Sequence, residues 1–78
     1  MDDDALARGQ LADAIVAELP ALTRTARALV GDRARAEDLV NDTVVRALEK
    51  ASTFRGESSV RHWLRRIMHN IAIDQARR

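Results

Sequence analysis

The sequence predicts an all-α protein that folds as a compact bundle of three or four helices. Hydrophobic residues, mainly Ala, Leu, Val and Ile, make up 46% of the chain, whereas aromatic residues make up only 3%. Ala, Leu, Arg and Glu favour helices, while aromatic residues favour strands. Apolar residues also recur every three or four positions, as they do on one face of a helix. The 78 residues suffice for one small domain with a modest core.

Two helices are predicted ahead of Gly31, one on each side of Pro20. We expect the first over residues 5–19 and the second over residues 21–30. Their core-facing residues are predicted to be Leu6, Leu11, Ile15, Val16 and Leu19 in the first, and Leu22, Ala26, Leu29 and Val30 in the second. Pro20 either kinks the first helix or opens the second, because the first turn of a helix tolerates its missing N–H. Gly31 is predicted to end the second helix as a left-handed C-cap.

Two further helices are predicted on either side of a loop over residues 52–58. The third covers residues 36–51, and the fourth runs from an N-cap at Ser58 or Ser59 to about residue 77. The core stripe of the third helix is predicted to be Ala36, Leu39, Val40, Thr43, Val44, Ala47 and Leu48. That of the fourth is predicted to be Val60, Trp63, Leu64, Ile67, Met68 and Ile71, with Trp63 as a core anchor.

The net charge of +1 is unevenly distributed along the chain. Residues 1–50 contain ten acidic and seven basic residues, for a net charge of −3. Residues 51–78 contain two acidic and six basic residues, for a net charge of +4. A basic C-terminal third suits an anionic partner and an acidic remainder suits a basic one, although ordinary solvated helix faces can carry the same charges.

Composition excludes several classes of protein. The absence of cysteine excludes disulfides and thiolate metal sites, and His62 and His69 lack acidic neighbours at ligand spacing, so we expect no metal and no cofactor. No apolar run approaches the roughly 20 residues of a membrane span, and the N-terminus is acidic. We therefore expect a cytoplasmic protein that does not insert into membranes. Paired catalytic carboxylates, a nucleophile–base pair and a Gly-rich phosphate loop are all missing, which disfavours an enzyme.

The third predicted helix carries an acidic stripe on its outer side. On a helical wheel, Val45 lies about 150° from the centre of the core stripe. Its polar neighbours on that side are Asp38, Asn41, Asp42 and Glu49. Single exposed apolar residues are common on protein surfaces. An acidic stripe around an exposed β-branched residue nevertheless favours an interface with another protein.

The fourth predicted helix and the loop before it carry a basic surface. The outward residues of the helix are Arg61, His62, Arg65, Arg66, His69, Ile73 and Arg77. Arginine binds phosphates, and Asn70, at the edge of the core stripe, can read a base edge. The loop adds Arg55, a flexible Gly56 and Phe54, the only aromatic residue expected outside the core. Such a loop is suited to hold a base that has turned out of its stack.

Four segments, in order along the chain, resemble the extracytoplasmic-function (ECF) sigma factors of the sigma-70 family. Residues 36–48 (AEDLVNDTVVRAL) are similar to their polymerase-binding helix, and residues 29–32 (LVGD) match the junction before it. Residues 54–59 (FRGESS) resemble the promoter-melting segment, and residues 63–74 (WLRRIMHNIAID) resemble the helix that reads the promoter −10 element. One departure is Asn41, where the family usually has Gln. Each motif alone is moderately specific, but the four together are highly specific.

The resemblance implies a region 2 domain that docks on the β′ clamp helices of RNA polymerase and recognises and opens the −10 element by capturing its non-template strand. The implied polymerase-binding residues are Asp38, Asn41, Asp42, Val45, Arg46 and Glu49. The implied DNA-binding residues are Phe54, Arg55, Gly56, Arg61, Arg65, Arg66, His69, Asn70, Arg77 and Arg78. An anti-sigma factor is a further expected partner.

The resemblance also predicts how the chain is organised. We expect a helical N-terminal extension over residues 1–18 and the region 2 domain over residues 19–78, without the region 4 domain that reads the −35 element. The main alternative is a sigma-like decoy that binds an anti-sigma factor but no promoter, although a decoy has no use for the basic surface. A helix-turn-helix reader of the major groove is less well supported, because the 52–58 loop is too long for its tight turn.

Overall fold

The computed structural model describes residues 3–77 of the chain, with their side chains from residue 9 onward. The elements are α1 (Asp3–Ala17), α2 (Leu19–Val30), α3 (Arg33–Glu49), a single turn of 3₁₀ helix (Ala51–Thr53) and α4 (Val60–Ala76). No strand occurs between residues 3 and 77, so the predicted all-α bundle is confirmed. None of the described helices is long and apolar enough to cross a membrane.

Local sequence signals set the helix ends. Pro20 lies in the first turn of α2, so it opens the second helix and does not kink the first. Gly31 has a φ of 70° and ends α2 as the predicted left-handed C-cap. Asp32 caps α3, because its Oδ1 accepts a hydrogen bond of 2.9 Å from the backbone N–H of Ala34. α3 therefore begins at Arg33, three residues before the predicted start.

The core lies between α3 and its two neighbours, α2 and α4, and α1 closes one side. The buried hydrophobic residues are Leu11, Ile15, Leu22, Ala26, Ala36, Leu39, Val40, Ala47, Leu64, Ile67, Met68 and Ile71. Thr43 is also fully buried, and its hydroxyl donates a hydrogen bond of 2.7 Å to the backbone oxygen of Leu39. Thr43 is the one buried polar residue among the described residues, and this bond gives its hydroxyl the partner that a buried polar group needs.

Three residues that we predicted in the core are exposed. Val16, Leu29 and Leu48 have relative exposures of 63%, 39% and 50%. The predicted core stripes included too many residues. Hydrophobic periodicity indicates which side of a helix faces the core, but not how much of that side the neighbouring helices bury. Val16 is one residue, or 100° on a helical wheel, past the buried Ile15. Leu6, also predicted in the core, lies outside the described side chains.

α1 is part of the same bundle as the other helices. Its buried residues Leu11 and Ile15 belong to the common core, and the helix contacts α4 and the 3₁₀ turn. At its C-terminal end, the Glu18 carboxylate accepts a hydrogen bond of 2.6 Å from Nε of Arg61 in the first turn of α4. Ser59 caps α4, because its Oγ accepts a hydrogen bond of 3.1 Å from the backbone N–H of His62.

Leu39 and Leu48 provide a matched stability test on a single helix. Leu39→Ala opens a cavity in the core and should lower the free energy of unfolding by about 3 kcal/mol. Leu48→Ala removes an exposed side chain and should change it by less than about 0.5 kcal/mol. Urea denaturation followed by circular dichroism measures both variants. Equal losses would contradict the surface position of Leu48.

Candidate partner and nucleic-acid interfaces

The six residues predicted to bind polymerase lie together on the outer side of α3, and we call them the acidic surface. They are Asp38, Asn41, Asp42, Val45, Arg46 and Glu49, and all six are exposed. Val45 has a relative exposure of 57%, as expected from its position opposite the core stripe. Nε of Arg46 lies 3.9 Å from Oε1 of Glu49, so these two charges largely offset each other. The acidic surface therefore offers carboxylates around an apolar centre.

A groove separates part of the acidic surface from α4. Its volume is about 270 Å³, and its lining is Asp42, Val45, Arg46, Glu49, Ile71, Asp74 and Gln75. Nε2 of Gln75 donates a hydrogen bond of 3.3 Å to Oδ2 of Asp42, which links the two sides. We call this feature the α3–α4 groove. Sequence reasoning missed Asp74 and Gln75 as part of this surface, although both follow the buried Ile71 within about one helical turn.

The loop before α4 is held by contact between two aromatic rings. The ring centroids of Phe54 and Trp63 lie 4.9 Å apart with an angle of 48° between the ring planes. Both side chains are half-buried and pack against the core. Phe54 is thus not one of the buried core residues, but its ring packs at the border of the core against the indole of Trp63. Trp63, which we predicted as a core anchor, is half-buried and packs against the buried residues without being one of them.

Beside this aromatic pair lies a second groove of about 400 Å³, which we call the loop groove. Its lining is Thr53, Phe54, Arg55, Glu57, Ser58, His62, Trp63 and Arg66. The structure therefore brings together Phe54, Arg55 and Arg66, three of the predicted DNA-binding residues. It adds His62 and Trp63, which were not predicted to contact DNA. Gly56, in the same loop, has a φ of 74°, a conformation that favours glycine.

The other predicted DNA-binding residues are spread along α4. Arg65, His69, Asn70 and Arg77 are all exposed but do not line the loop groove, and Arg78 lies outside the described residues. On a helical wheel, Asn70 is about 40° from Arg66, so the two share an edge of α4. Between residues 9 and 77, no hydrogen bond joins the Asn70 side chain to the loop.

Arg61 differs from the other arginines of α4 because its guanidinium pairs with Glu18, 43 positions earlier in the chain. This contact joins the α1–α2 junction to α4. A phosphate would have to compete with Glu18 for Arg61, whereas Arg65 and Arg66 form no ion pair among the described residues.

The fold is a small helical bundle that carries an acidic surface on α3 and, before and along α4, a loop groove lined by arginines and an aromatic pair. The sequence model of the Sigma-70 region 2 family matches residues 14–78, so the chain belongs to that family. The matched region begins within α1. No solved structure matches the chain significantly.

Two curated relatives are ECF-type or related sigma factors. The chain is 39% identical over 61 residues to the ECF RNA polymerase sigma factor EcfG of Rhodopseudomonas palustris (strain TIE-1). It is 49% identical over 43 residues to the RNA polymerase sigma factor YlaC of Bacillus subtilis (strain 168). These alignments cover 78% and 55% of this chain, but only 34% and 25% of the two relatives. The predicted kinship with ECF sigma factors is confirmed.

The contact between Phe54 and Trp63 can be tested by fluorescence, since Trp63 is the only tryptophan. Phe54→Ala uncovers the indole and should shift its emission to longer wavelength, with a stability loss that includes about 0.5–1.5 kcal/mol for the ring contact. Arg55→Ala, the control in the same loop, should leave the emission unchanged. An unchanged spectrum for Phe54→Ala would show that the rings do not pack in solution.

Proposed function

We propose that this chain is the promoter-recognition domain of a sigma factor. It docks on the β′ clamp helices of RNA polymerase and recognises and opens the −10 element, from which it captures the non-template strand. The observation that carries the proposal is that one bundle of the Sigma-70 region 2 family has two different surfaces. Carboxylates surround Val45 on α3, and arginines lie beside an aromatic pair at α4. The domain acts by binding and not by catalysis.

Docking is supported by the shape and charge of the acidic surface. Asp38 and Asp42 are exposed and lie one turn apart on α3, with Val45 projecting beside them. An apolar side chain surrounded by carboxylates suits a partner that presents basic residues around an apolar contact. Because all these side chains point away from the core, they are free to serve binding without a cost to folding.

Reversing two charges of the acidic surface tests the docking. Asp38→Arg with Asp42→Arg should abolish pull-down by the isolated β′ clamp helices, because like charges would then face each other. Helicity and melting temperature should stay near those of the unmodified domain, since exposed substitutions change stability by about 0.5 kcal/mol or less. The matched control is Asp13→Arg with Glu57→Arg, which reverses two exposed acids outside α3. Equal pull-down by both double variants would remove the docking assignment.

Strand capture is supported by the loop groove. The aromatic pair forms an apolar wall on which a base can stack, and Arg55 and Arg66 line the same groove to meet the phosphates. Asn70 lies on the same edge of α4 as Arg66, and its carboxamide offers both a donor and an acceptor to a base edge. Arginine contributes affinity for any sequence, whereas Asn70 contributes sequence preference.

Asn70→Ala and Arg66→Ala should therefore have different effects on single-stranded oligonucleotides. Asn70→Ala should reduce discrimination between −10-like and mismatched strands by about 1–3 kcal/mol at one base, with little change in salt dependence. Arg66→Ala should weaken all strands similarly and lower the slope of log K against log salt by about 0.7. Fluorescence anisotropy at several salt concentrations measures both quantities.

Two outcomes of that titration contradict parts of the proposal. If Asn70→Ala weakens every strand alike, Asn70 orders the loop and does not read a base. If the unmodified domain shows no preference for −10-like strands at any salt concentration, the sigma-like decoy becomes the better account of the chain.

The proposal has three further parts: a second partner, a cellular location and a domain boundary. An anti-sigma factor is a proposed partner, since it would control access to the surfaces described above. The cytoplasm is the proposed location, as the compartment that holds RNA polymerase and promoter DNA. The boundary between an extension over residues 1–18 and a region 2 domain over residues 19–78 also stays a prediction.

A further inference from the structure

The α3–α4 groove combines apolar walls with a carboxylate rim. Ile71, which is 8% exposed, and Val45 supply apolar surface, and Asp42, Glu49 and Asp74 supply the carboxylates. One wall comes from the acidic surface of α3, while the other belongs to the last turns of α4. The groove is thus continuous with the proposed polymerase-docking surface but extends it onto a second helix.

The groove retains a net negative charge. Glu49 is offset by Arg46 at 3.9 Å. Asp42 accepts a hydrogen bond from the neutral amide of Gln75, which orients its carboxylate without neutralising it. Asp74 forms no ion pair with any residue between 9 and 77. Asp42 and Asp74, one on each wall, are thus the carboxylates that line the groove without an ion pair among the described residues.

We propose that this groove receives one basic side chain, arginine or lysine, from the polymerase helices that dock on α3. The inference rests on the proposed function and deepens it, because it makes Asp74 and Gln75 of α4 the second half of the docking surface. Long basic side chains place their methylene stems on apolar surface and their charged ends among acceptors, which is the combination that Val45, Ile71 and the two aspartates provide. The volume of about 270 Å³ is enough for one such side chain.

Engagement of α4 has a geometric consequence for DNA binding. Asp74 follows Asn70 by four residues, or about one turn of the same helix. A partner held by both walls of the groove would therefore contact α4 about one helical turn from Asn70, so the polymerase and the captured strand would be neighbours on this helix. Docking through α3 alone would not contact α4 directly.

The test measures binding of the whole 78-residue chain to the β′ clamp-helix fragment by titration calorimetry and by dissociation kinetics. Asp74→Asn preserves the size of the side chain but removes its charge, and should weaken binding about tenfold, mainly through faster dissociation. Asp74→Arg should weaken it further. Asp13→Asn, on the exposed side of α1, is the matched control and should bind like the unmodified chain.

A double-mutant cycle separates the groove from a general effect of charge. If one basic side chain bridges both walls, the losses from Asp42→Asn and Asp74→Asn should not be additive, whereas independent surface charges would give additive losses. Circular dichroism should show unchanged helicity for each variant.

The outcomes distinguish this inference from the function on which it rests. If the unmodified chain binds and Asp42→Asn weakens it, but Asp74→Asn and Asp74→Arg bind as before, the groove assignment is overturned and docking through α3 stands. If the unmodified chain does not bind the clamp helices at all, both the docking function and the groove assignment are overturned.

Discussion

The packing of α4 against α3 is the contact on which the rest of the molecule depends. The buried residues of α4 are Leu64, Ile67, Met68 and Ile71, and those of α3 are Ala36, Leu39, Val40, Thr43 and Ala47. A well-packed seam of this kind resists rotation of either helix, because each side chain fits the spaces left by its neighbours. A turn of α4 by one residue, about 100°, would bring Arg65 or, in the other direction, Asn70 to the core side and expose part of the core. The seam thus fixes which side chains α4 presents, and to which side.

The packing of α4 against α3 determines where both candidate interfaces lie. At the C-terminal end of α4, where the core stripe ends at Ile71, the next residues reach the outer side of α3 and close the α3–α4 groove. Near the N-terminal end, Trp63 lies at the border of the same stripe and contacts the ring of Phe54. This contact positions the loop before α4. One rigid helix therefore connects the surface proposed for polymerase with the surface proposed for DNA. Their relative position is set by a few buried aliphatic contacts.

Local and periodic features were accessible from the sequence, whereas long-range polar contacts were not. The helix type, the left-handed Gly31, the Ser59 cap and the outward Val45 each depend on a short segment, and the structure confirms them. The pairing of Glu18 with Arg61 and of Asp42 with Gln75 joins residues 43 and 33 positions apart. Such contacts depend on how the helices cross, which periodicity does not specify. For the same reason, the sequence did not predict that Leu48 is exposed or that the rings of Phe54 and Trp63 are in contact.

The central claim is that α4 serves two ligands, one towards its N-terminal end and one at its C-terminal end. It is tested most directly by nuclear magnetic resonance of the ¹⁵N-labelled chain, titrated first with β′ clamp helices and then with a −10-like strand. The account predicts that clamp helices shift amides of residues 38–49 and 71–75, and that the strand then shifts residues 53–58, 62–66 and 70 while the first ligand stays bound. Displacement of the clamp helices by the strand, or shifts of the same residues by both ligands, would contradict it.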